Sequence, residues 1–338
     1  MNLRPPGYEP GELPDCSTPR REGKYSAASL GSMRVGVVDL GTNSTRLLVA
    51  DVDDGHVEEL GRRADITRLG EGVDERRQLL PLPIARVRNV LSDYRRELDA
   101  KGAQRVLALG TSAVRDAENG EAFLGEVEWS YGWKTRLLTG EEEANLTCKG
   151  VANGRPLDGT TVILDVGGGS TELITAARCV SADIGSVRLT ERFLHSDPPT
   201  REELEACSAE VQAALPDLEP TSAIGVAGTV TTLAALELGS YDPEQIHGRR
   251  LAREEVEAQL ARLASVPLAE RRRLPGLEPE RAPVIVAGAV IVDEVLKRYE
   301  LSGLKVSERD LLHGAALVAA ELPEHEEGDV PPGAYTCC

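Results

Sequence analysis

Two stretches of this 338-residue chain write the same turn: VVDLGTNSTRLL at 37–48 and ILDVGGGSTELI at 163–174 both fit Asp-x-Gly-x-x-Ser-Thr-x-Leu. A glycine directly after a strand lets backbone N–H groups converge without interference from a Cβ, and a neighbouring Ser or Thr adds a hydroxyl donor. Such a loop can cradle phosphate oxygens. The aspartate at each strand end, Asp39 or Asp165, would repel a phosphate unless a cation stood between them, so the combination implies a divalent metal, Mg²⁺ first. A third loop, Gly-x-x-Gly-Thr at 225–229, joins a strand to a helix whose N-terminus favours an anion. A glycine-rich turn alone is usually only a turn. Three in one chain point to phosphate chemistry. The G-x-x-x-x-G-K-[ST] pattern is absent, and the first strand has no G-x-G-x-x-G, which argues against a P-loop enzyme or a dinucleotide binder.

The loops need a scaffold, and the chain alternates strand and helix patterns. Strands are expected at 34–39, 45–52, 57–62, 105–109 and 135–138, with Asp53-Asp54-Gly55 as a turn. Apolar residues at 84, 87, 91, 94 and 98 have helical spacing, and an acidic helix start follows Gly140 over 141–149. The pattern then restarts, with strands at 161–165, 171–175, 180–184 and 223–227 and helices near 201–215 and 230–238. A charged, proline-containing stretch leads to an apolar helix over 284–299, a strand at 304–306 and a helix over 308–320. Each half opens with a strand, a glycine turn and two more strands, which indicates a duplicated α/β domain with a cleft between the halves.

Bulk properties narrow the function. A net charge of −18 argues against a general nucleic-acid or anionic-membrane binder, though a local basic or metal-lined site can still take a small polyanion. Aromatics are 3% of the chain, so aliphatic residues must form the core. The six cysteines make no CxxC pair and no zinc spacing with histidine, which reads as reduced thiols in a cytoplasmic protein. No apolar run is long enough to span a membrane, and the N-terminus lacks a hydrophobic signal core. Residues 1–32 and 322–338 are polar and aperiodic and are expected to be disordered.

The motifs DLGTNS (39–44), GTSAVRDAEN (110–119), TGEEEA (139–144), DVGGGSTEL (165–173) and GVAGTVTTLAAL (225–236) stand in the order and spacing of one family. GSVRLTERF (185–193) and VSERDLLHGA (306–315) also fit. Together they resemble the exopolyphosphatase / guanosine pentaphosphate phosphohydrolase family over about residues 33–321. The resemblance implies an α/β, duplicated actin-like (ribonuclease-H-like) fold of two domains with an interdomain active-site cleft. Domain I would span 33–150, joined by a returning C-terminal helix at 308–321, and domain II would span 151–307.

The reaction implied is Mg²⁺-dependent hydrolysis of a terminal phosphoanhydride, with inorganic polyphosphate or guanosine pentaphosphate as substrate. Glu143, last of the GEEEA glutamates, matches the family's catalytic base, and Arg115 matches an arginine facing the cleft; a guanidinium suits phosphate through its planar fork. Asp165 and Glu172 flank the GGGS loop and would hold the metal or its waters, with Asp39 completing the shell from the other domain. Asn43, Ser44, Gly168, Gly169, Ser170, Gly228 and Thr229 would donate to phosphates. Arg46 and Arg188 are weaker candidates for a positive lining, and Lys149 is weaker still. Glu142 reads as structural, and His195, His247 and His313 show no partner pattern. Longer relatives carry further helical domains, so the expectation here is short or medium polyphosphate. Pro283 stands where many relatives have Asp, a departure from the family pattern just before the apolar helix. The family often forms homodimers. A kinase sharing the fold is disfavoured because no sugar-binding motif is present. A non-catalytic polyphosphate or alarmone sensor is disfavoured by the full set of site residues.

Overall fold

The computed structural model describes residues 32–154 and 157–323; the segments 1–31 and 324–338, where disorder is expected, lie outside the described residues. A strand that is mostly apolar is covered on both faces, and MRVGVVDL at Met33–Leu40 (β1) is such a strand, buried from Val35 to Leu40. Val35 and Val37 join one core, while Val38 and Leu40 join another on the opposite face. β1 is the centre of a five-stranded sheet with β2 (Thr45–Asp53), β3 (His56–Asp65), β4 (Arg105–Gly110) and β5 (Lys134–Leu137), in the order β3-β2-β1-β4-β5. β1, β2 and β3 form an antiparallel meander, and β4 and β5 continue the sheet in parallel. Residues of α1 (Val73–Arg76), α2 (Pro81–Lys101), α3 (Ser112–Asp116) and α4 (Gly120–Tyr131) build the core on the Val38 face. Gly36 lies on that face because α2 approaches closely there: a Cβ would fall 2.2 Å from Leu98 Cδ2. After β5 comes α5 (Gly140–Ala152).

The second half repeats the plan. β6 (Thr161–Val166), β7 (Thr171–Ile174) and β8 (Cys179–Ala182) form a second antiparallel meander, and β9 (Ser222–Val226) runs parallel to β6. With β10 (Arg250–Ala252) and β11 (Gly303–Val306) the order is β10-β11-β9-β6-β7-β8. So β6 takes the place of β1, β7 of β2, and β9 of β4. Val162, Leu164 and Val166 face a core built with α6 (Ser186–Phe193), α7 (Arg201–Ala214), α8 (Ala227–Leu238), α10 (Arg253–Ser265) and α12 (Ile285–Arg298); the short helices α9 (Pro243–Ile246) and α11 (Leu268–Arg271) precede and follow α10.

Two helices tie the halves. α13 (Leu311–Ala320) returns to the first sheet, where Leu311, Leu312 and Ala315 share a core with Val35 and Val37. Leu146 of α5 belongs to that same core, while Ala144 and Cys148 of α5 pack with Ile163 and Ile174 of the second sheet. The helices cross at two glycines. A Cβ on Gly150 would lie 2.0 Å from the Asp310 carbonyl oxygen, and one on Gly314 would lie 1.9 Å from that of Leu146.

Three points depart from expectation. The last helix starts at Leu311 rather than 308, because Asp310 ends an extended link and caps the helix, its Oδ1 accepting the Leu312 N–H at 3.0 Å. α8 starts at Ala227 rather than 230, directly at the strand end. β10, α6 and α10, with the one-turn helices α1, α9 and α11, have no counterpart among the expected elements.

Candidate active site

The two Asp-x-Gly turns close alike: Gly41 N–H donates to the Ser44 carbonyl at 3.1 Å, and Gly167 N–H to the Ser170 carbonyl at 3.0 Å. In both copies the loop carbonyls are held by the segment after the third strand. Those of Thr42 and Asn43 accept from Gly70 N–H (2.8 Å) and Arg68 N–H (2.9 Å). That of Gly167 accepts from Ser186 N–H (3.0 Å), and that of Gly168 from Val187 N–H (2.8 Å) and Arg188 N–H (3.1 Å). The Gly169 carbonyl accepts from Arg188 Nε at 2.7 Å. In a planar trans peptide, the N–H of one residue points opposite the carbonyl of the residue before it. The N–H groups of Asn43, Ser44, Gly168, Gly169 and Ser170 therefore face away from these holding segments, and none donates to a backbone carbonyl. All five residues line one cleft of about 900 Å³, part of it open solvent. Two sets of unused amides thus meet in one cavity, which is what an oxyanion needs.

The loops also touch each other. A Cβ on Gly168 would lie 3.0 Å from Asn43 N, and one on Gly169 would lie 2.3 Å from Ser112 Oγ. Glycine there lets the halves close. The third loop contributes Gly228 and Thr229 from the first turn of α8, whose amides have no partner within the helix. Ala227, which opens that helix, sits at φ +65°, a left-handed conformation that costs an alanine energy and that the surrounding structure holds beside the cleft.

Register distinguishes the two copies. Asp39 stands opposite Arg46 across β1 and β2, whereas Asp165 stands opposite Glu172 across β6 and β7. The first pair is an ion pair, Arg46 Nε donating to Asp39 Oδ2 at 2.8 Å. The second is two acids side by side. Burial raises the pKa of both Asp165 and Glu172, and the Asp165 charge adds to the rise at Glu172. Thr147 Oγ1 donates to Asp165 Oδ2 at 3.0 Å, and Ser181 Oγ donates to Glu172 Oε1 at 2.7 Å.

Glu143 and Thr147 are one turn apart on α5, so both reach the same side. Glu143 is 9% exposed and lines the cleft. Burial, then the charges of Glu172 and Asp165, push its pKa well up, against the pull of Arg115. Glu142 is committed to structure. With Thr139 it forms a capping box, its Oε2 accepting the Thr139 N–H at 2.9 Å, and it also pairs with Arg136.

Further along the cleft lies a charge network that joins Arg46, an expected lining residue, to Arg62, Tyr241, Glu308 and Asp310, which were not expected there. Arg46 Nη1 reaches Asp310 Oδ2 at 2.5 Å, and Arg62 Nη2 reaches the same oxygen at 2.9 Å. Arg62 Nη1 donates to Glu308 Oε2 at 3.0 Å, and Tyr241 Oη donates to the same carboxylate at 3.1 Å. Burial raises the Asp310 pKa, but Arg46 and Arg62 outweigh it and hold that carboxyl far below the usual range. Arg62, Tyr241, Arg281, Glu308 and Asp310 all line the cleft. One signal for Asp310 was legible: an Asp before an apolar helical run is an N-cap.

Of the expected site residues, the structure brings Glu143, Asp39, Asp165, Asn43, Ser44, Gly168, Gly169, Ser170, Gly228 and Thr229 into the cleft. Two stand behind it. Glu172 is 1% exposed, in the β7 wall. Arg115 donates to the Leu138 carbonyl at 2.9 Å and to Glu143 Oε2 at 3.3 Å, so it supports the glutamate instead of facing the cavity. Arg188 does not line the cleft either. Among the described residues no group of three or more His, Cys, Asp or Glu is arranged to hold a metal. Asp39 Oδ1 and Asn43 Oδ1 are, however, buried without a hydrogen-bond partner. A hard cation needs few protein oxygens when phosphate and water complete its shell, and these two acceptors fit that use.

Residues 48–322 match the model of the Ppx/GppA phosphatase family. The chain is similar to Exopolyphosphatase 2 of Mycobacterium tuberculosis, 38% identical over 314 residues that cover 85% of this chain and 98% of the relative. It is also similar to the guanosine-5'-triphosphate,3'-diphosphate pyrophosphatase of Vibrio vulnificus, 30% identical over 82% of this chain and 58% of that protein. Among solved structures, the Ppx/GppA family member of Aquifex aeolicus superposes with a TM-score of 0.70 at 33% identity, covering 87% of this chain and all of the other.

Proposed function

The chain belongs to the Ppx/GppA phosphatase family, and on that premise we propose that it is an exopolyphosphatase, hydrolysing the terminal phosphoanhydride of inorganic polyphosphate. The observation that carries this reading is one buried carboxylate, Glu143, in a cleft with two sets of amides that donate to no backbone carbonyl. In this reading Asn43, Ser44, Gly168, Gly169 and Ser170 bind the terminal phosphate through their N–H groups, and Gly228 and Thr229 bind the next. Fixed donors of this kind stabilise charge that develops on the phosphoryl oxygens. Glu143 accepts a proton from water as its oxygen bonds to the terminal phosphorus, and the bridging bond to the next phosphate breaks. Arg115 holds Glu143 in place for that task, and its charge opposes the burial and acidic neighbours that favour the protonated form. Asp39 and Asp165 would hold Mg²⁺, directly or through water, with Glu172 behind Asp165; Mg²⁺ supplies charge neutralisation on the phosphate oxygens.

A second reading, hydrolysis of guanosine pentaphosphate, draws on the similarity to the Vibrio vulnificus pyrophosphatase. The same reading takes the protein to be cytoplasmic and a homodimer, the latter measurable by sedimentation. Among the described residues no helix is long and apolar enough to cross a membrane.

Polyphosphate, guanosine pentaphosphate and ATP, supplied separately with Mg²⁺, test the proposal. Phosphate release from polyphosphate in preference to ATP is expected. Glu143→Gln should lower kcat ~10²–10⁴-fold with the fold intact, and Asp165→Asn should raise the Mg²⁺ concentration needed for activity. Release from none of the three substrates would end the enzyme reading, and full activity in Glu143→Gln would end the role given to that residue.

A further inference from the structure

Arg188 makes a set of contacts that no cleft role explains. Its side chain is 8% exposed and lies outside the cleft lining. Nε donates to the Gly169 carbonyl at 2.7 Å. Nη2 reaches Asp116 Oδ2 at 2.5 Å, and Nη1 pairs with Asp74. Gly169 belongs to the loop of the second half, whereas Asp74 and Asp116 lie on α1 and α3 of the first. One guanidinium therefore bonds the loop and the opposing half together. Its neighbours on α6 extend the seam. Arg192, one turn on, pairs with both oxygens of Asp74 at 2.5 and 2.7 Å, and Glu191 Oε1 accepts the Gly72 N–H at 3.1 Å.

The direction of the Gly169 carbonyl fixes the direction of the Ser170 N–H, because they share one peptide plane. We propose that Arg188 is a positioning residue that couples closure of the two halves to the phosphate cradle. Seating its terminal nitrogens on Asp74 and Asp116 places Nε on the Gly169 carbonyl and holds the Ser170 amide toward the cleft. This rests on the phosphohydrolase reading of that cleft. Arginine is needed because three acceptors in different directions require a planar fork; a lysine ammonium on a flexible stem cannot reach all three while keeping the loop fixed. The two carboxylates also need the arginine, since without it the first half presents both acids at the seam with one cation fewer opposite them.

Arg188→Lys, Arg188→Met and the milder Asp116→Asn provide the test, with Glu143→Gln as a chemistry control. Steady-state kinetics on polyphosphate, hydrogen exchange of the 167–170 amides and small-angle scattering are measured on each. Arg188→Lys should keep the fold and lose kcat ~10–100-fold, more than KM rises, because a displaced donor is felt most in the transition state. Exchange should rise at 167–170, and scattering should report a more open particle for Arg188→Met and, to a smaller degree, Asp116→Asn. Glu143→Gln should lose activity with exchange and scattering unchanged. Arg188→Lys with kcat within twofold of the parent, or with unchanged loop exchange, would overturn the proposal. Should the parent release phosphate from no substrate, the functional reading fails, while exchange and scattering still report whether Arg188 clasps the halves and holds the loop. Should Arg188→Met fail to fold, Asp116→Asn carries the scattering test.

Discussion

Asp310 shows how a single carboxylate can serve both fold and site. It caps α13 through Oδ1 and uses Oδ2 to satisfy Arg46 and Arg62, two arginines of the cleft wall. Removing one partner of a buried ionic cluster leaves the other charges uncompensated, at a cost of about 3–5 kcal/mol. Asp310→Asn should therefore lower unfolding free energy by about 3 kcal/mol or more in denaturant titrations. Glu308→Gln, which leaves Arg62 its bond to Asp310, should cost under half as much. Equal losses would mean that the network is not organised around Asp310. Chemistry carried by neighbouring residues is legible in the sequence, and chemistry assembled from distant ones is not. Asp39, Asp165 and their glycines follow directly from strand-turn spacing. Glu143 could not be told from a solvated helix-start carboxylate without the family resemblance, because its burial depends on α5 being covered on two sides. Arg62 and Asp310 are 248 positions apart, and nothing near either announces the other. Arg188 was expected in the positive lining of the cleft, but it stands outside it, on Asp74 and Asp116, which lie 114 and 72 positions away and are not announced by anything near it.

At the scale of elements, the meanders were legible because central strands are continuously apolar and their turns carry Asp and Gly. β1 and β6 begin within one residue of their expected positions. α10 was hidden by its charge, although Val256, Leu260 and Leu263 keep helical spacing. The α5–α13 crossing was not legible at all. Gly150 and Gly314 look like weak points in helices, and only the three-dimensional arrangement shows that each touches the other helix's backbone. Gly314→Ala would place a methyl group 1.9 Å from the Leu146 carbonyl oxygen, contact that backbone must yield to. Overpacking of this kind costs roughly 1–3 kcal/mol, even though alanine is the better helix former. The melting temperature should fall, and because α5 carries Glu143, kcat should fall with it. A variant that is more stable than the parent would show that the crossing has slack.

At the scale of the whole molecule, the two halves look separable, since each has its own sheet and its own main core. α5 argues against independent unfolding. Its Leu146 belongs to the core of the first sheet, and its Ala144 and Cys148 to a core of the second. The last helix adds a second tie: the chain leaves β11 of the second sheet, passes Asp310 and packs as α13 on the first. Neither half can unfold without exposing apolar surface of the other, so the cost of separating them is shared. Calorimetry should accordingly show one unfolding transition, with calorimetric and van't Hoff enthalpies in agreement. The ionic seam contributes differently, because its outer pairs, Arg192 with Asp74 and Glu210, are partly exposed and weakened by salt whereas buried apolar contacts are not. Raising ionic strength should thus open the particle in scattering before it splits the thermal transition. Two resolved transitions at low salt would show that α5 and α13 couple the halves far less than their shared cores imply, and the cleft would then have to be held closed by the seam alone.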